Sequence, residues 1–151
     1  MRSARALIFA VLLPAAAVVS AAAVPAGGPA PEVVVYKRAS CGCCKKWVEY
    51  LRQNGFKVVT HDMDDLSEIK AGAGVPAPLQ TCHTALVGGY VVEGHVPAEV
   101  IYRLLKEKPK IVGLAVPGMP QGAPGMEGLR HDSFDVMSFD KTGHTAVYTS
   151  R

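Results

Sequence analysis

The chain has 151 residues, 49% hydrophobic and 19% charged, with a formal net charge of +3. Setting aside an N-terminal leader removes Arg2 and Arg5, taking Lys+Arg from 16 to 14 against 13 acidic residues, so the mature charge is near +1. That balance lacks the basic stripe of a nucleic-acid footprint, and after the leader no run approaches the ~20 apolar residues of a membrane span.

The leader begins Met1-Arg2-Ser3-Ala4-Arg5, continues as an apolar run from Ala6 to Val19, and ends in small residues, "SAAAVPA". A charged start, an apolar centre and a small-residue cleavage site predict a secretory signal peptide over residues 1–23, cut between Ser20 and Ala26. A membrane anchor is the alternative, disfavoured by the central Pro14 and the Ala-rich core. Residues 24–31 read as a Pro/Gly-rich linker and 32–151 as one domain. Roughly 128 residues then remain, enough to bury a core. Export to the periplasm is expected, which places the four cysteines in a disulfide-permissive compartment. Four thiols allow three pairings, and their spacing does not choose among them.

Val33–Tyr36 is a continuous apolar run suited to a buried strand. After "SCGCC", the residues Cys44, Trp47, Val48 and Leu51 fall at i, i+3, i+4 and i+7, the pattern of a helix stopped by Asn54-Gly55. Lys57–His61 reads as the next strand, completing a right-handed βαβ unit. Asp64-Asp65 are placed to cap a short helix ending at Gly72, followed by a loop with Pro76 and Pro78. Thr84–Val87 and Tyr90–Glu93 flank Gly88-Gly89, a tight hairpin. Pro97 opens a third helix with Val100, Ile101, Leu104 and Leu105 on one face, and Pro109 ends it. The order βαβ, helix, ββα predicts an α/β, thioredoxin-like fold. The stretch "VGLAVPGMPQGAPGMEG" reads as neither helix nor central strand, being rich in Gly and Pro, and repeats Pro-Gly-Met at 117–119 and 124–126. The tail predicts a further hairpin turning at Lys141-Thr142-Gly143, with no separate second domain.

The chemistry lies in the thiols. Cys41, Cys43 and Cys44 fall at the predicted helix N-terminus, where unpaired N–H groups and the helix dipole favour thiolate. In the predicted fold, the loop carrying Cys82 lies against that terminus, so four sulfurs converge. Three readings compete. Two structural disulfides suit adjacent Cys43 and Cys44 poorly. A thiol–disulfide oxidoreductase using Cys41 and Cys44 has its C-x-x-C, but Cys43 and Cys82 would invite scrambling. A metal site uses all four. Zinc is disfavoured because successive helical residues point roughly 100° apart, and four thiolates on one Zn²⁺ leave a buried net charge of about −2. Several Cu(I) ions bridged by sulfur approach neutrality, and soft thiolate and thioether ligands select Cu(I). Copper is the favoured cargo, with more than one ion per chain. Met119 and Met126 are candidate thioether ligands in a lid-forming loop, although methionine is also an ordinary gap-filler. His83 and His95 are candidate imidazole ligands, with a partly exposed polar residue as the alternative; His61, His131 and His144 are placed outside the site. Two states are expected: copper-loaded with reduced thiols, and copper-free with a disulfide, Cys41–Cys44.

The segments "YKRASCGCCKKW", "TCHTALVGGYVVEGHVPAEVI" and "GLAVPGMPQGAPGME" together resemble the CopG-type family of exported bacterial metal-binding proteins, long described as a domain of unknown function. The resemblance runs from about Val33 to Tyr148. It implies a thioredoxin-like domain, periplasmic copper handling and resistance, and a cysteine-centred copper site at Cys41, Cys43, Cys44 and Cys82. Copper ions are the expected partners, with other periplasmic copper-resistance proteins as candidates beside them. An enzymatic role, copper or thiol–disulfide oxidoreduction, is left open.

Overall fold

A computed structural model describes residues 29–151; the leader, its cleavage site and most of the linker lie outside the described residues. Strand β1 (Glu32–Lys37) leads through the cysteine loop into α1 (Gly42–Gln53), and β2 (Lys57–Asp62) follows. Helix α2 (Ser67–Gly72) and a 3₁₀ turn at Ala77–Leu79 precede the β3 (His83–Val87) and β4 (Tyr90–Glu93) hairpin, then α3 (Ala98–Glu107). Three further strands complete the chain: β5 (Gly113–Ala115), β6 (Asp135–Phe139) and β7 (Thr145–Ser150). The seven strands among the described residues form one sheet in the order β2-β1-β3-β4-β5-β6-β7. β1 runs parallel to β2 and β4 parallel to β5; the other neighbours are antiparallel. The first four strands with α1 and α3 are the predicted thioredoxin-like arrangement.

Alternate residues of the strands face opposite sides of the sheet, which divides the core in two. Val33, Val35, Ala85, Val92, Leu114 and Val136 pack with Trp47 and Leu51 of α1 and with Ile101 and Leu104 of α3. On the other face, Val91, Ala115 and Phe139 pack with Val75 and Leu79. The helix stripe read from spacing is the buried one: Cys44, Trp47, Val48 and Leu51 are the buried residues of α1.

Two local expectations change. The Gly/Pro-rich stretch contributes a central strand after all, because Gly113–Ala115 pairs with β4 on one side and β6 on the other. Gly113 itself permits this, since a Cβ there would lie 2.1 Å from the Val91 carbonyl oxygen. The bare backbone closes in, and Leu114, Ala115 and Val116 are fully buried before Pro117. At α2, Leu66 rather than an aspartate occupies the cap position. Asp65 acts one residue earlier, accepting hydrogen bonds from the Ser67 N–H at 3.0 Å and its hydroxyl at 2.7 Å. The C-terminal hairpin extends the main sheet through β5–β6 pairing.

Candidate metal centre

Cys41 is the cap residue of α1, in extended backbone conformation, and its Sγ accepts from the Cys44 N–H at 3.3 Å. The first turn of α1 contains no acid, so nothing there offsets the positive end of the helix dipole. Cys41 and Cys44 are joined as a disulfide, the pairing expected of the copper-free state. Cys43 and Cys82 are free thiols, each half-buried. Cys43 Sγ lies 3.5 Å from Cys41 Sγ, and Cys44 Sγ lies 3.8 Å from the Cys82 carbonyl oxygen. All four Sγ atoms fall within 4.8 Å of one another.

A second group shares one member with the first. Cys82 Sγ is 3.3 Å from His83 Nδ1 and 3.3 Å from His95 Nε2, so Cys82, His83 and His95 form their own potential ligand set. Both imidazoles are fully buried. His95 Nδ1 donates to the Pro124 carbonyl at 2.8 Å. That bond fixes the tautomer and aims the bare Nε2 lone pair at Cys82, as metal-ligating histidines are oriented by a bond from the other nitrogen. His83 lies against the Trp47 ring at 4.4 Å between centroids, while the indole N–H donates to the Val96 carbonyl at 3.0 Å. His83 Nε2 is buried with no hydrogen-bond partner among the described residues.

Burial sets the protonation states. It pushes the Cys82 thiol up to about 12, with the neighbouring Cys43 sulfur adding to the effect. Burial, then His95, then Lys70 hold His83 well below its ordinary range, and burial lowers His95 as well. The site therefore presents neutral imidazoles, whose lone pairs can take a soft cation, beside a thiol whose proton is displaced to solvent only when a strong Lewis acid such as a metal ion binds the sulfur.

The two Pro-Gly-Met segments differ in placement. Pro124-Gly125-Met126 packs onto the first turn of α1, where a Cβ on Gly125 would lie 2.7 Å from Trp47 N and 3.0 Å from the Cys43 carbonyl oxygen. Met126 shares a cleft of about 360 Å³ with Cys43, Lys46 and Glu127. Met119 is 41% exposed. A cleft of about 480 Å³ opens on the other side, bordered by Arg38, Cys41, Asp65, Thr81 and Cys82. His61 stacks on Tyr36 along β2, and His131 lies beside Gly122, apart from the cluster. The Pro124 carbonyl that orients His95 was invisible to residue-type reasoning, since any residue supplies a carbonyl.

Comparison with known proteins gives a consistent result. A family model described as "Protein of unknown function, DUF411" matches residues 79–126, and a glutaredoxin model matches residues 33–74. No curated protein matches. The solved structure "Copper resistance protein copG- Form 2" is 44% identical, with a TM-score of 0.76, covering 81% of this chain and 98% of that one. "Copper resistance protein copG- Form 1" matches at the same identity and TM-score, covering 82% of this chain and 98% of that one. With that identity across nearly the whole length of the solved chains, this chain belongs to the CopG family.

Proposed function

We propose that this protein is exported to the periplasm, where it binds Cu(I) in a cysteine-thiolate site and so contributes to copper resistance. The observation that carries this reading is the convergence of Cys41, Cys43, Cys44 and Cys82 within 4.8 Å. Adjacent thiolates on a helix terminus bridge several monovalent ions more readily than they wrap one divalent ion, so the cargo is more than one Cu(I). His83 and His95 add neutral nitrogen ligands at Cys82, and Met126, beside Cys43, adds a thioether; Met119 stands further out as a capture residue on the same loop. The relatives' description as copper resistance proteins supports the choice of metal, and no helix among the described residues is long and apolar enough to cross a membrane.

The Cys41–Cys44 disulfide gives the site a second state. Reduced thiolates hold copper. Loss of two electrons from Cys41 and Cys44 to an external disulfide forms their bond, withdraws two ligands and releases the ions. The test is anaerobic titration of the reduced protein with Cu(I) against a competing chelator, followed by mild disulfide oxidation with copper and thiols counted together. Saturation above one ion per chain, with copper released as thiols are lost, is expected. Saturation at one ion or none would sink the cluster. One tightly held Zn²⁺ would favour a structural zinc site. Copper leaving with all thiols still reduced would make the protein a plain sink.

One observation favours a second reading, thiol–disulfide oxidoreduction: the Cys41–Cys44 disulfide sits at the N-terminus of α1 in the region matched by the glutaredoxin model. Substitution of Cys43 and Cys82 separates the two, as set out below.

A further inference from the structure

Glu93 ends β4 with no exposed surface. An isolated buried carboxylate is expensive, and such groups persist when paired and fully hydrogen-bonded. Its partner is Lys70 from α2, whose Nζ donates to Glu93 Oε1 at 2.6 Å and to Thr84 Oγ1 at 3.0 Å. The remaining bonds are all to one segment. Oε1 also accepts from the Thr81 N–H at 2.5 Å and the Thr81 hydroxyl at 3.1 Å, and Oε2 accepts from the Thr84 hydroxyl at 2.7 Å. Thr81 and Thr84 immediately flank Cys82 and His83.

The same carboxylate also stands two residues before His95. Between them, the Gly94 N–H donates to the His83 carbonyl at 3.1 Å. Gly94 has φ +71, and a Cβ on it would lie 2.7 Å from Thr81 Oγ1. Glu93 thus adds a side-chain tie between the segments that carry Cys82, His83 and His95, beside the backbone pairing of β3 with β4.

We propose that Glu93, held neutral overall by Lys70, is a positioning residue for this nitrogen-rich side of the site. It fixes the backbone on both sides of Cys82-His83, so that Cys82 Sγ stays in reach of both imidazoles and of the other sulfurs. The role rests on the copper reading for its purpose, but its geometry is testable without copper. A buried ion pair of purely structural value is often replaced by apolar residues without loss. A positioning pair is not, because the site loosens even while the fold holds.

The test compares Glu93→Leu/Lys70→Leu, which removes every tie and adds no donor atom for copper, with Glu93→Gln/Lys70→Leu, which restores acceptance from Thr81 and donation to Thr84 without charge. In the folded Leu/Leu protein, apparent Cu(I) affinity should fall by about 10–100-fold, the range for groups that orient ligands, and the Gln variant should recover part of it. In copper-free protein, alkylation of Cys82 relative to Cys43, read by peptide mass spectrometry, should rise in Leu/Leu and return toward wild type with Gln. Unchanged affinity and an unchanged alkylation ratio in a folded Leu/Leu protein would overturn the role. If wild type takes up no copper, the copper reading fails and the alkylation ratio alone decides the positioning. If Leu/Leu does not fold, Thr84→Val decides: a smaller shift in the same direction supports the role, and no shift overturns it.

Discussion

The two sides of the candidate centre are built in opposite ways. Cys41, Cys43 and Cys44 come from four consecutive positions at the start of one helix, and Cys41 and Cys43 remain half-open to solvent. Cys82, His83 and His95 come from the ends of two strands and a neighbouring loop, with both imidazoles fully buried. The first side holds a disulfide, Cys41–Cys44, a bond that thiol–disulfide exchange can open. The second cannot form a disulfide within itself, and its nitrogens are dry, neutral and fixed. Under the proposed function, one side controls whether copper is held and the other supplies constant ligands. Cys82 belongs to both.

The largest effect should follow from breaking that shared member. Cys82→Ser should lower apparent Cu(I) affinity by more than the roughly 100-fold that marks the upper range for orienting groups, and about as much as Cys43→Ser does. Chelator competition measures both. In a protein working only through the Cys41/Cys44 dithiol, each substitution would leave disulfide-exchange activity intact while Cys41→Ser abolished it. Copper binding retained in Cys82→Ser would show that the two sides do not share an ion.

Much of this comparison is legible in the sequence, and unevenly so. The thiol side is local: spacing alone placed Cys44 with Trp47, Val48 and Leu51 on the buried face of α1, as found. The nitrogen side depends on strand pairing. Thioredoxin-like element order was enough to bring Cys82 toward α1, but not to show that His95 reaches the same sulfur. The Glu93–Lys70 pair left only a faint trace, a glutamate closing the apolar run Tyr90-Val91-Val92. β5 was missed because a Gly next to a Pro-rich loop normally signals a turn. Here Gly113 is demanded by the approach of the Val91 backbone, which no local pattern encodes.

The two Pro-Gly-Met repeats give an internal control of intermediate size. Gly118 and Gly125 both have left-handed φ, +75 and +81, but a Cβ on Gly118 meets nothing within 4 Å. Gly118→Ala should therefore cost only the backbone strain, about 1–2 kcal/mol. Gly125→Ala adds the clash with Trp47 N and must lift the loop from α1, also straining the Pro124 bond to His95. We expect its midpoint of thermal unfolding to fall by about 5–10 °C and copper to dissociate faster, with Gly118→Ala near wild type in copper release. Equal effects in both variants would mean that the second repeat does not act as a cover over the thiol side.

The smallest effect separates the sides by pH in the copper-free protein. An imidazole titrates near 6.5 in an unfolded chain, while burial holds His83 well below that when folded, with His95 and Lys70 adding to the effect. As pH falls below about 6.5, the unfolded chain binds a proton that the folded chain refuses, so stability declines toward acid. It is complete above that pH, and the slope below it approaches about 1.4 kcal/mol per pH unit for one such group. Cys82 has the opposite limb. Its thiol is raised to about 12 by burial first and by Cys43 second, whereas an unfolded cysteine ionises near 8.5. From there upward the unfolded chain is the one that loses a proton, and stability declines toward alkali. Between pH 5 and 7 the thiol is protonated in both states, so that window reads the nitrogen side alone. Denaturant unfolding across it should show His83→Gln with a flatter acid limb than wild type, and Cys82→Ser with an unchanged acid limb but a flatter alkaline one. An acid limb that survives His83→Gln at full slope would place the pH-sensitive group elsewhere and end the claim that the buried imidazoles are held neutral.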